Sequence, residues 1–334
     1  MFGSIIPEPF ATHAIVANSK VSNVATGALG LENARRMAAA AATELGSTPD
    51  KVLVSSTGVI GVRLPIEIIE RGVHGMSADL CDDPIAGAEG IMTTDTYPKA
   101  LSLSVGGATI TWVAKGSGMI EPNMATMLVY VFTDAALDST RLDRLLRQAV
   151  DVSFNMLSVD SDTSTSDTCA ILANGLAGPV DEQAFLDALT AGCIRMTETL
   201  ARDGEGATHL LRTTVRGAKD LAEARRIAKS LVNSPLVKTM VYGADPNVGR
   251  ILMAVGKCFD CTIDRERTSA WINGHEVLRD GYRLDFDDAV VRTALGSEVV
   301  DIVVSLGVGT AEATAYGCDL TQGYIDENAA YYSS

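Results

Sequence analysis

The spacing of apolar residues alternates between a helical and an extended period along this chain, so we expect a mixed α/β protein. The clearest helical segment is "GLENARRMAAAAATELG", residues 30–46, which is rich in alanine and ends at a glycine. Shorter segments at 66–71 and 84–92 follow the same period. Further helices are predicted at 138–154 with Asp138 or Ser139 as N-cap, at 181–202 and at 220–232.

Runs of β-branched and alternating residues predict the strands. The segment from Lys99 to Gly116 alternates, turns at two glycines and alternates again, which indicates a β-hairpin. Other predicted strands are "KVLVSS", "MLVYVF", "CAILAN", "HLLRTTVRG" and "LVKTMVYG". From Thr262 onward the pattern predicts a smaller strand-rich unit, with "INGHEV" as a hairpin and "VVDIVVSLG" and "AEATAYG" as paired strands.

Composition and charge narrow the class of partner. A length of 334 residues, with 47% hydrophobic and 21% charged residues, fits one large globular domain or two ordinary ones. The formal charge of −15 argues against nucleic acid and anionic membranes, which attract clustered lysine and arginine. No apolar run approaches the roughly 18 residues of a membrane span, and "MFGSIIPEPF" lacks the features of a signal peptide. We therefore expect a cytoplasmic protein that acts on a small molecule.

Neither the cysteines nor the histidines form a persuasive metal or catalytic pattern. Cys258 and Cys261 make a C-x-x-C motif, but no second pair lies at ligand spacing, so buried thiols are the better interpretation. The loop "VDSDTSTSDT", residues 159–168, begins like an EF-hand but lacks its glycine and its final glutamate, which favours a hydrogen-bonded polar loop. The four histidines follow no nucleophile motif. We expect no metal and no bound cofactor.

The segment "KGSGMIEPNMATML", from Lys115 to Leu128, raises two possibilities. Glycines next to a lysine suggest a phosphate loop, but the lysine precedes the glycines here, whereas the phosphate-loop motif requires it after them. The same glycines fit a simple turn between two strands equally well. The segment also leads to Thr126, which opens an apolar strand, so it serves either to hold a ligand or to position this threonine for chemistry.

Two other glycine turns carry polar groups. "SSTGVIG", residues 55–61, follows a strand, and the backbone N–H groups of such a turn can bind an anion together with a threonine hydroxyl. "RDGEGATHL" places Glu205 between two glycines, where the carboxylate is either solvated or directed into a cleft. Each signal is weak by itself.

Taken in order, these pieces resemble the ornithine acetyltransferase family, whose members are also called glutamate N-acetyltransferases. The resemblance extends from about Asn18 to the C-terminus. The matching segments are "VLVSSTGVIG", "TTDTYPK", "AKGSGMIEPNMATML", "SFNMLSVDSDTSTSDT", "DGEGATHL", "GADPNVGRI" and "DLTQGYIDENAAYYSS".

The family resemblance implies an α/β fold of the N-terminal-threonine acyltransferase (aminopeptidase DmpA/ornithine acetyltransferase-like) type, a layered sandwich of sheets and helices. It also implies that the chain cuts itself between Ala125 and Thr126. The products would be an α chain, residues 1–125, and a β chain, residues 126–334, that stay together as a dimer of αβ pairs. The β chain would comprise an α/β part, 126–260, and a smaller C-terminal unit at about 261–334.

Cleavage would solve a chemical problem for Thr126. A threonine hydroxyl is a poor nucleophile near neutral pH and needs a base within hydrogen-bond reach. The free α-amine made by cleavage is such a base, with a reference pKa of about 8, which burial or the charge of Lys115 would lower toward neutrality. In the uncut chain the same nitrogen is an amide and is not basic.

The resemblance also assigns the remaining roles. Thr57 and Gly58 would stabilise the oxyanion of the acyl-transfer intermediate. Charge supports Lys115 as the partner of a substrate carboxylate and Glu205 as the partner of an ammonium. The other implied substrate contacts are Thr96, Asn328, Thr126 itself and one of the terminal serines, Ser333 or Ser334. The implied reaction is ping-pong: N2-acetylornithine acetylates Thr126, and glutamate then takes the acetyl group, with acetyl-CoA left open as an alternative donor.

Three departures from the family pattern keep other functions open. The family usually has several tens of residues before the segment that begins here at about Ala14, so we expect part of the usual N-terminal piece to be absent, truncated or misannotated at the start codon. In addition, "NSKVSNVATG" has Lys20 and Val21 where glycine and asparagine are usual, and the tail is one residue longer. We expect the lysine to change the backbone or to narrow a pocket. One alternative is a related amidase or aminopeptidase that passes the acyl group to water, and another is an uncut, inactive assembly partner. An acceptor-amine pocket with Glu205 and Asn328 argues against the amidase, which would use the same Thr126. The intact "MATML", Lys115 and Thr57–Gly58 argue against the inactive partner.

Overall fold

The computed structural model describes residues 12–121, 127–164 and 166–330. The predicted cleavage residues Ala125 and Thr126 and the terminal Ser333 and Ser334 lie outside these ranges.

Helices and strands alternate along most of the described chain. The strands are β1 (Ala14–Asn18), β2 (Val52–Ser56), β3 (Lys99–Val105), β4 (Ala108–Lys115), β5 (Leu128–Ala135), β6 (Leu157–Ser158), β7 (Thr168–Gly178), β8 (Leu210–Ala218), β9 (Ser269–Ile272), β10 (His275–Arg279), β11 (Tyr282–Arg283), β12 (Val299–Ser305) and β13 (Ala311–Cys318). The helices are α1 (Gly27–Glu44), α2 (Ile66–Val73), α3 (Pro84–Ile91), α4 (Ser139–Asp151), α5 (Glu182–Arg202), α6 (Leu221–Val232), α7 (Pro235–Tyr242), α8 (Gly249–Gly256), α9 (Asp288–Leu295) and α10 (Gln322–Ala330).

The described residues divide into two compact units. The first lies within Met1–Gly116, Asn123–Ala149 and Thr163–Gly192, and the second within Ser117–Pro122, Val150–Asp162 and Cys193–Ser334.

The first unit contains two sheets over the described ranges, a parallel β1–β2 pair and a four-stranded sheet in the order β3-β4-β5-β7. The predicted hairpin is β3–β4, and β7 runs parallel to β5. Alanines of α1 form a small core with Val52 of β2 and Val73 of α2, as expected for a helix with small residues on one face. Asp138 accepts a hydrogen bond from Arg141 N at 2.9 Å, which confirms it as the N-cap of α4.

The second unit is built on one sheet, whose described strands run in the order β11-β10-β9-β12-β8-β13-β6. Helix α6 packs on strands β8 and β13 of this sheet. Its apolar positions, including Ile227 and Leu231, are fully buried, in agreement with its amphipathic sequence. The predicted "INGHEV" hairpin is confirmed as the antiparallel pair β9–β10.

The prediction of a strand at "LVKTMVYG" is wrong, because this segment is helix α7. Ser234 caps it by accepting a hydrogen bond from Val237 N at 3.3 Å, and Pro235 occupies the first turn. A serine followed by a proline is a helix-start signal, since the proline lacks an N–H that the first turn would leave unpaired. The buried residues Val237, Met240 and Val241 follow helical spacing.

The predicted pairing of "VVDIVVSLG" with "AEATAYG" is also wrong. These segments are β12 and β13, and β8 lies between them. Strand β12 runs parallel to β8 with Val299 opposite Leu210, while β13 is antiparallel with Cys318 opposite Leu210. A central strand from earlier in the chain thus pairs with both segments.

No helix in the described ranges is both long and apolar enough to traverse a bilayer.

Candidate functional site

Lys115 ends the central strand β4 and is almost fully buried, with 2% of its surface exposed. Its Nζ donates to Thr57 Oγ1 at 3.3 Å. An ammonium removed from water needs negative charge and acceptors close by. The Thr57 hydroxyl supplies an acceptor, and a buried carboxylate of the same unit supplies the negative charge.

That carboxylate belongs to Asp95. It accepts hydrogen bonds from Lys99 Nζ and from Gly116 N, both at 2.7 Å. Burial by itself would raise the pKa of Asp95, but the charges of Lys99 and Lys115 and these hydrogen bonds hold it below its usual value. Asp95 is therefore an anion at neutral pH that fixes the end of β4. Thr96, its neighbour in the chain, is exposed.

The turn after β2 requires a glycine at position 58. Gly58 has φ +125°, and a Cβ at this position would lie 2.2 Å from the carbonyl carbon and oxygen of Lys20. The same carbonyl accepts a hydrogen bond from Val59 N at 3.0 Å, so it cannot easily move away. Lys20 itself adopts φ +78°, a conformation usually left to glycine. The lysine therefore occupies a backbone conformation that favours glycine.

Only part of the predicted oxyanion-binding turn is free to donate. The Thr57 amide is engaged, because it donates to Asn18 O at 3.0 Å. Its hydroxyl accepts from Lys115, which leaves the hydroxyl hydrogen available to another partner. The Gly58 amide has no hydrogen-bond partner in the part of the chain that the structure describes. The turn therefore offers one hydroxyl and one amide, two donors of the kind that stabilise an oxyanion.

Sequence reasoning missed Asp167, which it included in a structural loop. Asp167 Oδ1 accepts from Met127 N at 2.5 Å, and Oδ2 is buried without a hydrogen-bond partner among the described residues. Burial raises the pKa of Asp167 to about 8, against the opposing effects of the Met127 hydrogen bond and of Lys115. The parallel register that sets Leu128 opposite Thr168 brings this carboxyl beside the residue that follows Thr126. No local motif signals such a pairing.

A second cluster lies in the second unit around Glu205, which is 9% exposed. Asn328 on α10 donates from Nδ2 to Glu205 Oε2 at 2.7 Å, and Glu205 N donates to Ser117 O at 2.9 Å. A Cβ on Gly118 would come within 2.2 Å of the Glu205 carboxylate. The glycine turn thus presents Glu205 to the backbone of residues 117–118 and to the C-terminal helix.

The surroundings of Glu205 are strongly acidic. Burial and then the charge of Glu205 raise the pKa of Glu327 above its usual value. Burial also raises the pKa of Tyr324, with Asp160 and Glu205 adding to the effect. Burial is the larger cause in both groups, but the charge of Glu205 also opposes the ionisation of Glu327 and of Tyr324. The negative charge around Glu205 favours a cation such as an ammonium.

The structure therefore assembles the predicted residues in two groups. Thr57, Gly58 and Lys115 belong to the first unit, where Thr57 and Lys115 are in contact, and exposed Thr96 belongs there too. Glu205 and Asn328 are in contact in the second unit. The positions of Ala125, Thr126, Ser333 and Ser334 lie outside the described residues.

The C-x-x-C motif shows no sign of a metal site. Cys258 is buried, and burial raises the pKa of Cys261 to about 11. Among the described residues, no cluster of histidine, cysteine and carboxylate side chains is arranged to hold a metal ion.

Comparison with known proteins gives a consistent result. The sequence profile of the ArgJ family matches residues 5–333. The chain is 46% identical over 327 residues to the arginine biosynthesis bifunctional protein ArgJ of Rhodococcoides fascians, covering 97% of this chain and 81% of that protein. It is also 46% identical to a glutamate N-acetyltransferase of Streptomyces clavuligerus, with 95% and 82% covered.

Structural comparison agrees with the sequence comparison. The arginine biosynthesis bifunctional protein ArgJ of Bacillus halodurans aligns with a TM-score of 0.58 and 36% identity, over 61% of this chain and 98% of that one. This similarity, together with the mixed helices and sheets described above, confirms the predicted fold type.

Proposed function

The chain belongs to the ArgJ family, and from this premise we propose that it transfers an acetyl group from N2-acetylornithine to glutamate through an acetyl ester on Thr126. The chain is an acetyltransferase of arginine biosynthesis, since its relatives carry that function in their names. This favours the transferase over the amidase and over the inactive assembly partner. Its substrates are small molecules.

The observation that carries the proposed chemistry is the contact between buried Lys115 and the Thr57 hydroxyl. It sets an ammonium beside the two free donors of the Thr57–Gly58 turn, in the unit whose strand β5 follows Thr126. Two donors and a cation would stabilise the oxyanion that forms when Thr126 Oγ attacks the acetyl carbonyl. Lys115 would also attract the carboxylate of the substrate.

The reaction would begin with a self-cleavage. Thr126 Oγ would add to the Ala125 carbonyl, and the C–N bond would break as the nitrogen takes the hydroxyl proton, which frees the α-amine of Thr126. Water would then hydrolyse the resulting ester to the Ala125 carboxylate and the Thr126 hydroxyl. In each later turnover this amine would take the proton of Oγ during attack and return it to the departing amine of ornithine. Attack of the glutamate amine would then regenerate the hydroxyl.

Recognition of the two amino acids is assigned by charge. Glu205, supported by Asn328, would bind the side-chain ammonium of ornithine in the acidic surroundings described above. Thr96 and one of Ser333 and Ser334 complete the proposed contacts. We propose that no bound cofactor is needed, that acetyl-CoA is at most an alternative donor, and that two αβ pairs assemble as a dimer.

A denaturing gel with N-terminal sequencing tests the first step. We expect two bands, one of them beginning at Thr126, whereas a single unbroken chain would refute self-processing. Acetyl exchange between N2-acetylornithine and glutamate tests the second step. Thr126→Ala should remain uncut and lose exchange, while Thr43→Ala, which alters an exposed helix residue of the first unit, should leave both unchanged. Normal exchange by Thr126→Ala would exclude it as the nucleophile.

A further inference from the structure

We propose that residues 117–121, here called the anchor segment, bind the end of the α chain to the β-chain part of the second unit after cleavage, in addition to the β4–β5 ladder of the first unit, and that Glu121 makes the principal ionic contact of the segment. The proposal rests on the cleavage proposed above. The anchor segment precedes the bond between Ala125 and Thr126, so it would stay with the α chain. The other parts of the second unit, 150–162 and 193–334, belong to the β chain. The anchor segment would therefore be an α-chain insertion into a β-chain unit.

The backbone of the anchor segment is held by the loop that follows β6. Asp160 accepts hydrogen bonds from Met119 N at 2.6 Å and from Ile120 N at 2.9 Å. In return, Val159 N donates to Ile120 O at 2.7 Å. The Ile120 side chain is fully buried. A carboxylate that accepts two amide hydrogens, next to a buried isoleucine, is a specific site for this stretch of chain.

The start of the anchor segment contacts the predicted ammonium-binding residue. Ser117 O accepts from Glu205 N, and Gly118 packs against the Glu205 carboxylate. Loss of the anchor segment from the second unit would remove both contacts. The anchor segment therefore also acts as a positioning element for Glu205.

Its end is held by an ion pair with helix α6. Lys229 Nζ and Asn233 Nδ2 donate to the two carboxylate oxygens of Glu121, each at 3.0 Å. Lys229 Nζ also donates to Leu157 O at 2.6 Å, and only 16% of its side chain is exposed. Burial lowers the pKa of Lys229, which the charge and hydrogen bond of Glu121 oppose. Without Glu121 this ammonium would be left largely buried with a carbonyl as its partner, a costly arrangement.

The test uses the processed wild-type protein and Glu121→Gln. A denaturing gel first establishes that both samples contain two chains. Release of the α chain in graded urea is then followed by size-exclusion chromatography. We expect Glu121→Gln to release the α chain about tenfold faster or more than the wild type. The double variant Glu121→Leu with Lys229→Met should return the rate toward that of the wild type, because no charge is left buried alone.

Asp143→Asn is the matched control, since it removes one carboxylate from the exposed Asp143–Arg147 pair and should leave release unchanged. Two chains with unchanged release in Glu121→Gln would overturn the anchor but not the transferase. A single wild-type band would overturn the cleavage and the anchor together. Should Glu121→Gln fail to fold, hydrogen exchange on the cleaved wild type decides. If the amides of Met119 and Ile120 exchange as slowly in the cleaved wild type as in the uncut Thr126→Ala variant, the anchor is supported. Rapid exchange of these amides in the cleaved wild type overturns it.

Discussion

Replacing Gly118 by alanine would test the proposed role of Glu205 without changing any charge. Gly118 does not have a positive φ, so the backbone accepts an alanine. The new methyl group, however, would lie 2.2 Å from Cδ and Oε2 of Glu205, where ordinary contacts begin at 3.4 Å. The carboxylate would have to move by about 1.2 Å, the difference between these two distances. Its hydrogen bond to Asn328 at 2.7 Å would stretch or break.

The displacement sets the size of the expected effect. A misplacement of roughly 1 Å in a group that orients a substrate costs on the order of 100-fold in rate, or about 2.7 kcal/mol of transition-state stabilisation. Weakening this partly buried hydrogen bond adds about 1 kcal/mol of lost stability. We therefore expect Gly118→Ala to lower kcat/KM for N2-acetylornithine roughly 100-fold, with a moderate fall in Tm.

Steady-state acetyl exchange and a thermal melt measure these two effects. Gly87→Ala is the control, because this exposed glycine of α3 has open space at its Cβ position. It should raise the free energy of unfolding by about 0.5–1 kcal/mol and leave kcat/KM unchanged. If Gly118→Ala retained wild-type kcat/KM despite a lowered Tm, Glu205 would not bind the substrate. If neither value changed, the packing of Gly118 on Glu205 would be wrong.

Three further predictions concern the first unit. The pKa of Asp167 is about 8 in the folded state and about 4 in the unfolded state. Between about pH 4 and pH 8 the folded state therefore binds more protons than the unfolded state, so the contribution of Asp167 to stability falls as pH rises. The stability of Asp167→Asn relative to wild type, measured by urea unfolding, should therefore increase from pH 5 to pH 9, and an equal difference at both pH values would contradict the assignment. Gly58→Ala should cost about 3 kcal/mol or more, because its Cβ meets the Lys20 carbonyl at 2.2 Å with φ at +125°, and an unchanged Tm would contradict this packing. Lys115→Met keeps the buried volume, and Asp95 retains its ion pair with Lys99, so circular dichroism should show a folded protein. The rate of acetyl exchange should fall about 100-fold or more, whereas a wild-type rate would show that Lys115 is not part of the site.

Local sequence signals predicted most elements well. The alanine-rich α1 and the hairpin β3–β4 were correct, because each depends on residues close together in the chain. Helix α7 was misassigned, although its start signal, Ser234 and Pro235, was present, because a short apolar run fits a buried strand or a helix equally well. The pairing of β12 with β13 failed for a different reason, since β8, more than 80 residues earlier in the chain, lies between them.

The sequence by itself determined which groups this protein has available: a lysine at the end of a strand, a glycine turn after another strand, and a glutamate between two glycines. Only the tertiary structure decided what those groups contact. The pairing of β5 with β7 brings Asp167 to Met127, the Asn18 carbonyl occupies the Thr57 amide, and Asn328 reaches Glu205 from the C-terminal helix. Local propensity depends on a few neighbouring residues, whereas these contacts depend on which distant segments bury their apolar faces together.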